Sequence, residues 1–139
     1  MYKDIIQSIQ TILESVSSVK EIYAYPIPGS PKKYPAVIFT VDSFSNSFET
    51  QAENMKICRF KLWVTVDLAG TDEKKVFTSI LPKVVDDVVK AFDTGWSGQI
   101  SGHRAWKIID SGDWGLVENE KGKRAYAELT LTVKMVTDL

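Results

Sequence analysis

Near the start of the chain apolar residues return every three or four positions. Ile5, Ile6, Ile9, Ile12, Leu13 and Val16 fall within about a 120° stripe at 100° per residue, which predicts an amphipathic helix covering one side of an apolar layer. Ser17 and Ser18 end it. Val19 to Tyr25, rich in β-branched and aromatic residues, predicts a short strand. Pro26, Pro28 and Pro31 around Gly29 then predict an irregular loop, because proline brings no N–H to a ladder.

The period next changes to two. The run PAVIFTVDSF, from Pro35 to Phe44, is apolar at nearly every position up to Asp42, as expected of a central strand buried on both faces. After the polar stretch Ser45 to Asn54 comes the clearest strand. Cys58, Phe60, Leu62, Val64 and Val66 alternate there with Arg59, Lys61, Trp63, Thr65 and Asp67, so one face goes to the core. The connection SFSNSFETQAEN, from Ser43 to Asn54, exceeds the two to five residues common in hairpins and predicts a projecting hairpin arm.

Gly70, Thr71, Asp72 and Glu73 signal a second helix, with Thr71 as N-cap and acids in the first turn, where the helix dipole favours them. Val76, Phe77, Ile80, Leu81, Val84, Val85, Val88, Val89 and Phe92 carry it to about Phe92. Their spacing of four lets the stripe drift about 40° per step, as if following a twisted sheet. Pro82 removes the hydrogen bond to the Thr78 carbonyl and predicts a kink. Asp93 to Gly102 reads as a loop. Arg104 to Trp114 reads as a strand with Ala105, Lys107 and Ile109 opposite Trp106 and Ile108, Asn119 to Gly122 as a turn, and Arg124 to Val136 as a last strand of regular alternation. The order α-β-β-β-α-β-β predicts an α+β fold, an antiparallel or mixed sheet of about five strands packed by two helices.

A chain of 139 residues fits one domain, 1–139, and no linker divides it. No apolar run approaches the roughly 20 residues of a spanning helix, so no membrane is expected, and MYKDIIQSIQ lacks the pattern of a secretory signal, so the chain is read from Met1. The 17 basic and 18 acidic residues are spread evenly, which gives no footprint for sequence-specific nucleic-acid binding. Cys58, the lone cysteine, cannot form an internal disulfide and reads as a small core residue of an intracellular protein.

Catalytic candidates are few. His103, the single histidine, reads as a solvated loop residue, and one His with one Cys leaves no metal site. Asp86 and Asp87 point about 100° apart on a helix and read as a solvated face with Lys83 and Lys90. Lys32 and Lys33 could touch phosphate but equally keep a loop soluble, and no Gly-rich phosphate cradle occurs. No cofactor, no metal and no enzymatic activity are therefore expected. The four tryptophans are more informative. Trp63 and Trp106 sit on or near the polar faces of strands, Trp96 and Trp114 at loops or strand ends, and Phe44 and Phe48 lie four apart in polar sequence. Tryptophan supplies large contact area at protein interfaces, so Phe44, Phe48, Trp63, Trp96 and Trp114 are the candidate contacts with other subunits.

In its element order the whole chain resembles the tail-terminator or tail-completion proteins of long-tailed bacteriophages. The matching stretches are IIQSIQTIL, YPAVIFTVD after a Pro-rich loop, ICRFKLWVTVDL, the helix start GTDE, and AELTLTVKMV. These are patterns of elements, shared in style with other neck and head-completion proteins, and no functional residue carries over one by one. The resemblance implies a virion protein of the tail or neck, assembled in the host cytoplasm. Its partners would be further copies of itself in a hexameric ring, the tail tube protein, and a head connector or head-completion protein, with DNA passing through the ring. A small ligand-binding or enzymatic α+β domain is the alternative, and a nucleic-acid-binding domain a third.

Overall fold

The computed structural model describes residues 2–48, 53–69, 72–94, 97–119 and 122–138. The first helix, α1 (Tyr2–Glu14), buries Ile5, Ile9 and Leu13, which lie on the expected stripe. Strand β1 (Glu21–Tyr23) is shorter than expected. Strands β2 (Ala36–Phe48) and β3 (Glu53–Asp67) form a long hairpin. The second helical run starts with α2 (Glu73–Lys75), passes through one π-helical turn (Val76–Ile80) and continues as α3 (Leu81–Thr94). Strands β4 (Ser97–Ile100), β5 (His103–Asn119) and β6 (Gly122–Asp138) complete the fold.

The strands form one mixed sheet in the order β1-β2-β3-β6-β5-β4. Strand β1 runs parallel to β2, and every other neighbouring pair is antiparallel. Phe60, Leu62 and Val64 of β3 and Leu131, Val133 and Met135 of β6 form the middle of the core, under α1 and α3. This is the face that alternation assigned to the core. Cys58 lies in the same row, and burial raises the pKa of its thiol.

Several expectations are corrected. The α+β class, a mixed sheet packed by helices, is as expected; the sheet has one described strand more than the five counted from sequence, because Ser97–Ile100, expected as loop, pairs with β5. The turn between them uses Ser101 and Gly102, both at positive φ (52° and 79°), the backbone that suits a two-residue hairpin turn. Helix α3 runs on to Thr94. The expected helix cap Thr71 lies outside the described residues; Asp72 caps α2, its carboxylate accepting from the Lys74 N–H at 3.0 Å.

At Pro82 the missing N–H is accommodated by a π turn just before it, with the Leu81 N–H bonding five residues back to the Val76 carbonyl. Strand β2 is not central: only Ala36 to Phe39 is buried on both faces, and β1 covers just Ala36, Val37 and Ile38. The polar stretch at 43–48, expected to lie between strands, continues β2, because β3 supplies a partner at every residue from Ser43 to Phe48. The arm is thus mostly ladder, and the residues between its strands, 49–52, lie outside the described residues.

Candidate assembly surface

Two strand edges are open among the described residues. Beyond the three positions covered by β1, β2 pairs only with β3 from Phe39 onward. Strand β4 covers β5 only at His103 to Trp106, so β5 pairs only with β6 from there to Asn119. An open edge offers unpaired N–H and C=O groups to another chain. Each edge also carries a bulge, between Val41 and Ser43 on β2 and between Ile109 and Ser111 on β5. A bulge adds one residue and reverses which later residues face the helices.

That reversal places the exposed apolar side chains. On β2, Val41 is opposite Phe60 and, past the bulge, Phe44 is opposite Cys58, so both lie on the helix face. On β5, Trp114 is opposite Ala127 and Leu116 opposite Ala125, again the helix face. All four are exposed, Phe44 at 62% and Trp114 at 52%. Trp114 is therefore neither in a loop nor at a strand end, as expected from sequence, but on an open edge. Ile108, also exposed, points to the opposite face beside Thr132.

Phe44 folds back in part onto Tyr2 of α1, with ring centroids 5.6 Å apart and planes tilted by 57°. Because most of the ring remains in solvent, Phe44→Ser should cost the isolated subunit about 1 kcal/mol or less, near the value of one aromatic pair. A thermal melt of the variant checks this.

The other candidate contacts lie elsewhere. Trp63 is half-buried on central strand β3, away from both edges, on the face turned from the helices. Phe48 is described through its backbone, which pairs with Asn54, and Trp96 lies outside the described residues. His103 opens β5 and is half-buried. Asp87 binds two partners, Lys83 Nζ at 3.0 Å and the Ser18 hydroxyl at 2.8 Å, and these bonds hold its pKa below the ordinary carboxylate value. Its role is to tie the turn after α1 to α3. Asp86 is exposed, as expected, and Lys32 and Lys33 are exposed in the loop before β2.

Trp63 belongs to a pocket of about 350 Å³ on the face away from the helices, walled by Pro26 and Ile27 of the loop and by Ile38, Arg124 and Tyr126 of the sheet. The Tyr126 ring occupies the space that a Cβ on Gly115 would need, so glycine at that position lets the ring close over β5. Arg124 Nη1 is buried there without a hydrogen-bond partner among the described residues. A second concavity, a groove between α1 and the β4–β5 turn, contains Lys107. Among the described residues no three His, Cys, Asp or Glu side chains gather as a metal site, and no helix is long and apolar enough to cross a membrane.

Sequence reading passed over Val41, Leu116 and Arg124. A signal for Leu116 was present in the alternation of Trp114 and Leu116 with Gly115 and Val117, but the bulge hid which way it faced.

No family model matches the sequence, and no curated protein matches it either. Among solved structures, a chain from the virion of a native gene transfer agent particle is similar over 98% of this chain and 91% of its own length, at 12% identity and a TM-score of 0.47. A likeness of that size carries no argument about role.

Proposed function

We propose that this chain is a non-enzymatic structural subunit that assembles head-to-tail with copies of itself into a closed ring, hexameric by the resemblance described above, at the head-proximal end of a phage tail. In this role it ends polymerisation of the tail tube and presents a surface to a head connector or head-completion protein. What carries the self-assembly is the pair of open edges, while the place at a phage tail follows from the resemblance. They lie on opposite sides of one sheet, run in opposite directions, and bear exposed apolar side chains on the same face.

Setting β5 of one copy beside β2 of the next therefore makes an antiparallel contact, with Val41 and Phe44 facing Trp114 and Leu116 across the seam. The contact joins two different patches, so repeating it gives a ring if the rotation closes. Trp114 shares its row with Val37, and bringing Leu116 level with Val41 and Trp114 level with Phe44 needs a shift of about six residues, roughly 20 Å along the strands. In a closed ring a shift of this kind appears as a tilt of the strands to the ring axis.

Light scattering across protein concentrations, with and without tube protein, should find a particle of ring size, and negative-stain images should show a closed ring. A strict monomer under every condition would overturn the reading. The Arg124 pocket favours a second reading, a small ligand-binding domain. That reading predicts a compact monomer whose stability rises with an anionic ligand and falls back when Arg124 is replaced.

A further inference from the structure

Lys107 occupies a place that a lysine rarely holds. Alternation on β5 puts it with Ala105 and Ile109 on the helix face, opposite Val133, and the residue is 5% exposed. No hydrogen bond or ion pair joins it to any described residue, its ammonium reaches the groove described above, and partial burial lowers its pKa. Two of the sheet's other charged side chains solve the same problem differently. Lys61 reaches Thr130 at 3.0 Å and Glu128 at 3.5 Å, and Lys123 binds Glu73. A partly desolvated cation without a protein partner is a place where an anion from outside gains more than it would in open water.

The place for that anion is open. Lys107 lines a groove of about 500 Å³ whose other polar walls are Gln7, Ser8 and Thr11 of α1 and Gln99 and Ser101 of the β4–β5 hairpin. The Thr11 and Ser101 hydroxyls already donate, to the Gln7 carbonyl and to Asp4, which leaves Gln7, Ser8 and Gln99 as neutral side chains able to donate to an oxyanion. Asp4 lies at the same groove, and its carboxylate already accepts from the Ser101 hydroxyl at 2.6 Å. With Asp4 at the same groove, a carboxylate adds one negative charge and phosphate up to two, so a carboxylate is the less opposed of the two.

We propose that this groove is a carboxylate-binding site, with the Lys107 ammonium as its cationic anchor and Gln7, Ser8 and Gln99 as flanking donors. The carboxylate comes either from an acidic side chain of another protein chain inserted into the groove or from a free carboxylic acid. The inference rests on the groove alone and holds whether or not the chain forms a ring.

The test uses the full chain and nuclear magnetic resonance shifts of the backbone amides of Thr11, Gly98, Gln99 and Ser101. Acetate at constant ionic strength should shift these amides saturably, and chloride or phosphate should not do so to the same extent. Lys107→Met, which removes the charge and keeps the stem, should melt no lower than the parent and bind acetate at least tenfold more weakly. Lys107→Arg should retain binding. An acetylated, amidated Gly-Glu-Gly peptide that shifts the same amides at concentrations no higher than acetate, with its Gln counterpart inactive, would assign the source to a protein. Acetate binding with the peptide excluded would assign it to a free acid. Equal responses to acetate, phosphate and chloride, or an unchanged response in Lys107→Met, would overturn the proposal.

Discussion

Phe60→Ala is expected to cost about 3–5 kcal/mol of subunit stability, the range for emptying the site of a buried phenyl ring. Phe60 is fully buried at the centre of β3, with Val41 and Leu131 as its cross-strand partners and the Phe39 ring 6.4 Å away in an edge-on arrangement. Strands flank it on either side and it belongs to the core cluster that the helices complete, so little of the cavity can collapse. A loss of that size is a large share of the 5–15 kcal/mol that holds a typical domain folded. Its neighbour provides the control. Lys61 points to the other face, half-exposed, and its contacts with Thr130 and Glu128 are surface interactions, so Lys61→Ala should cost about 1 kcal/mol or less. Denaturant titration of both variants measures the contrast, and equal losses would mean that the strand's register is displaced by one residue.

The second large effect is expected in assembly rather than in stability. A lysine at Val41 or at Trp114 puts a hydrated charge on an open edge, where natural proteins use lysine to prevent pairing. Each variant alone should lower self-association at least tenfold, while its melting temperature stays close to the parent's because both side chains are already exposed. Mixing them gives the more exacting result. Val41→Lys spoils the β2 edge and keeps β5 intact, whereas Trp114→Lys does the reverse. A head-to-tail contact between these edges therefore lets one copy of each join through the two unaltered edges and then stops. Sedimentation should show dimers in the mixture and monomers in each variant alone. If the mixture stays monomeric while the parent forms rings, the ring survives and the proposed seam does not.

Much of the layered core could be read from periodicity. The alternation in β3 assigned the right face to every core residue from Cys58 to Val66, and that in β6 grouped Ala125 to Met135, which prove to share the core face, because a strand paired on both sides cannot rotate its faces. The stripe on α1 was equally legible, since Ile5, Ile9 and Leu13 are the residues that reach the sheet. Even Lys107 was placed on the correct face. What remained hidden was that no partner waits for it there, which depends on α1 and the β4–β5 hairpin meeting above it.

The candidate surface was less legible, for reasons that differ from residue to residue. Trp114 was noticed because tryptophan is seldom left idle, but its direction depends on the bulge at Asp110, which moves it from the parity of Trp106 to that of Lys107. Phe44 changes face in the same way after Asp42. No local pattern announces a bulge, because the extra residue is selected by the neighbouring strand. Ser43 to Phe48 likewise looks polar enough for a loop, and becomes strand only because β3 provides a ladder alongside it.

By itself, then, the sequence determined the kinds of element and their buried faces, through short-range periodicities that reflect the geometry of one helix or strand. The tertiary structure alone decided the order of strands in the sheet, the addition of β4, the position of each bulge and which edges stay open. Those depend on pairing between segments distant in the chain, such as β3 with β6, where hydrogen bonding and packing are settled jointly by both partners and no single segment contains the answer.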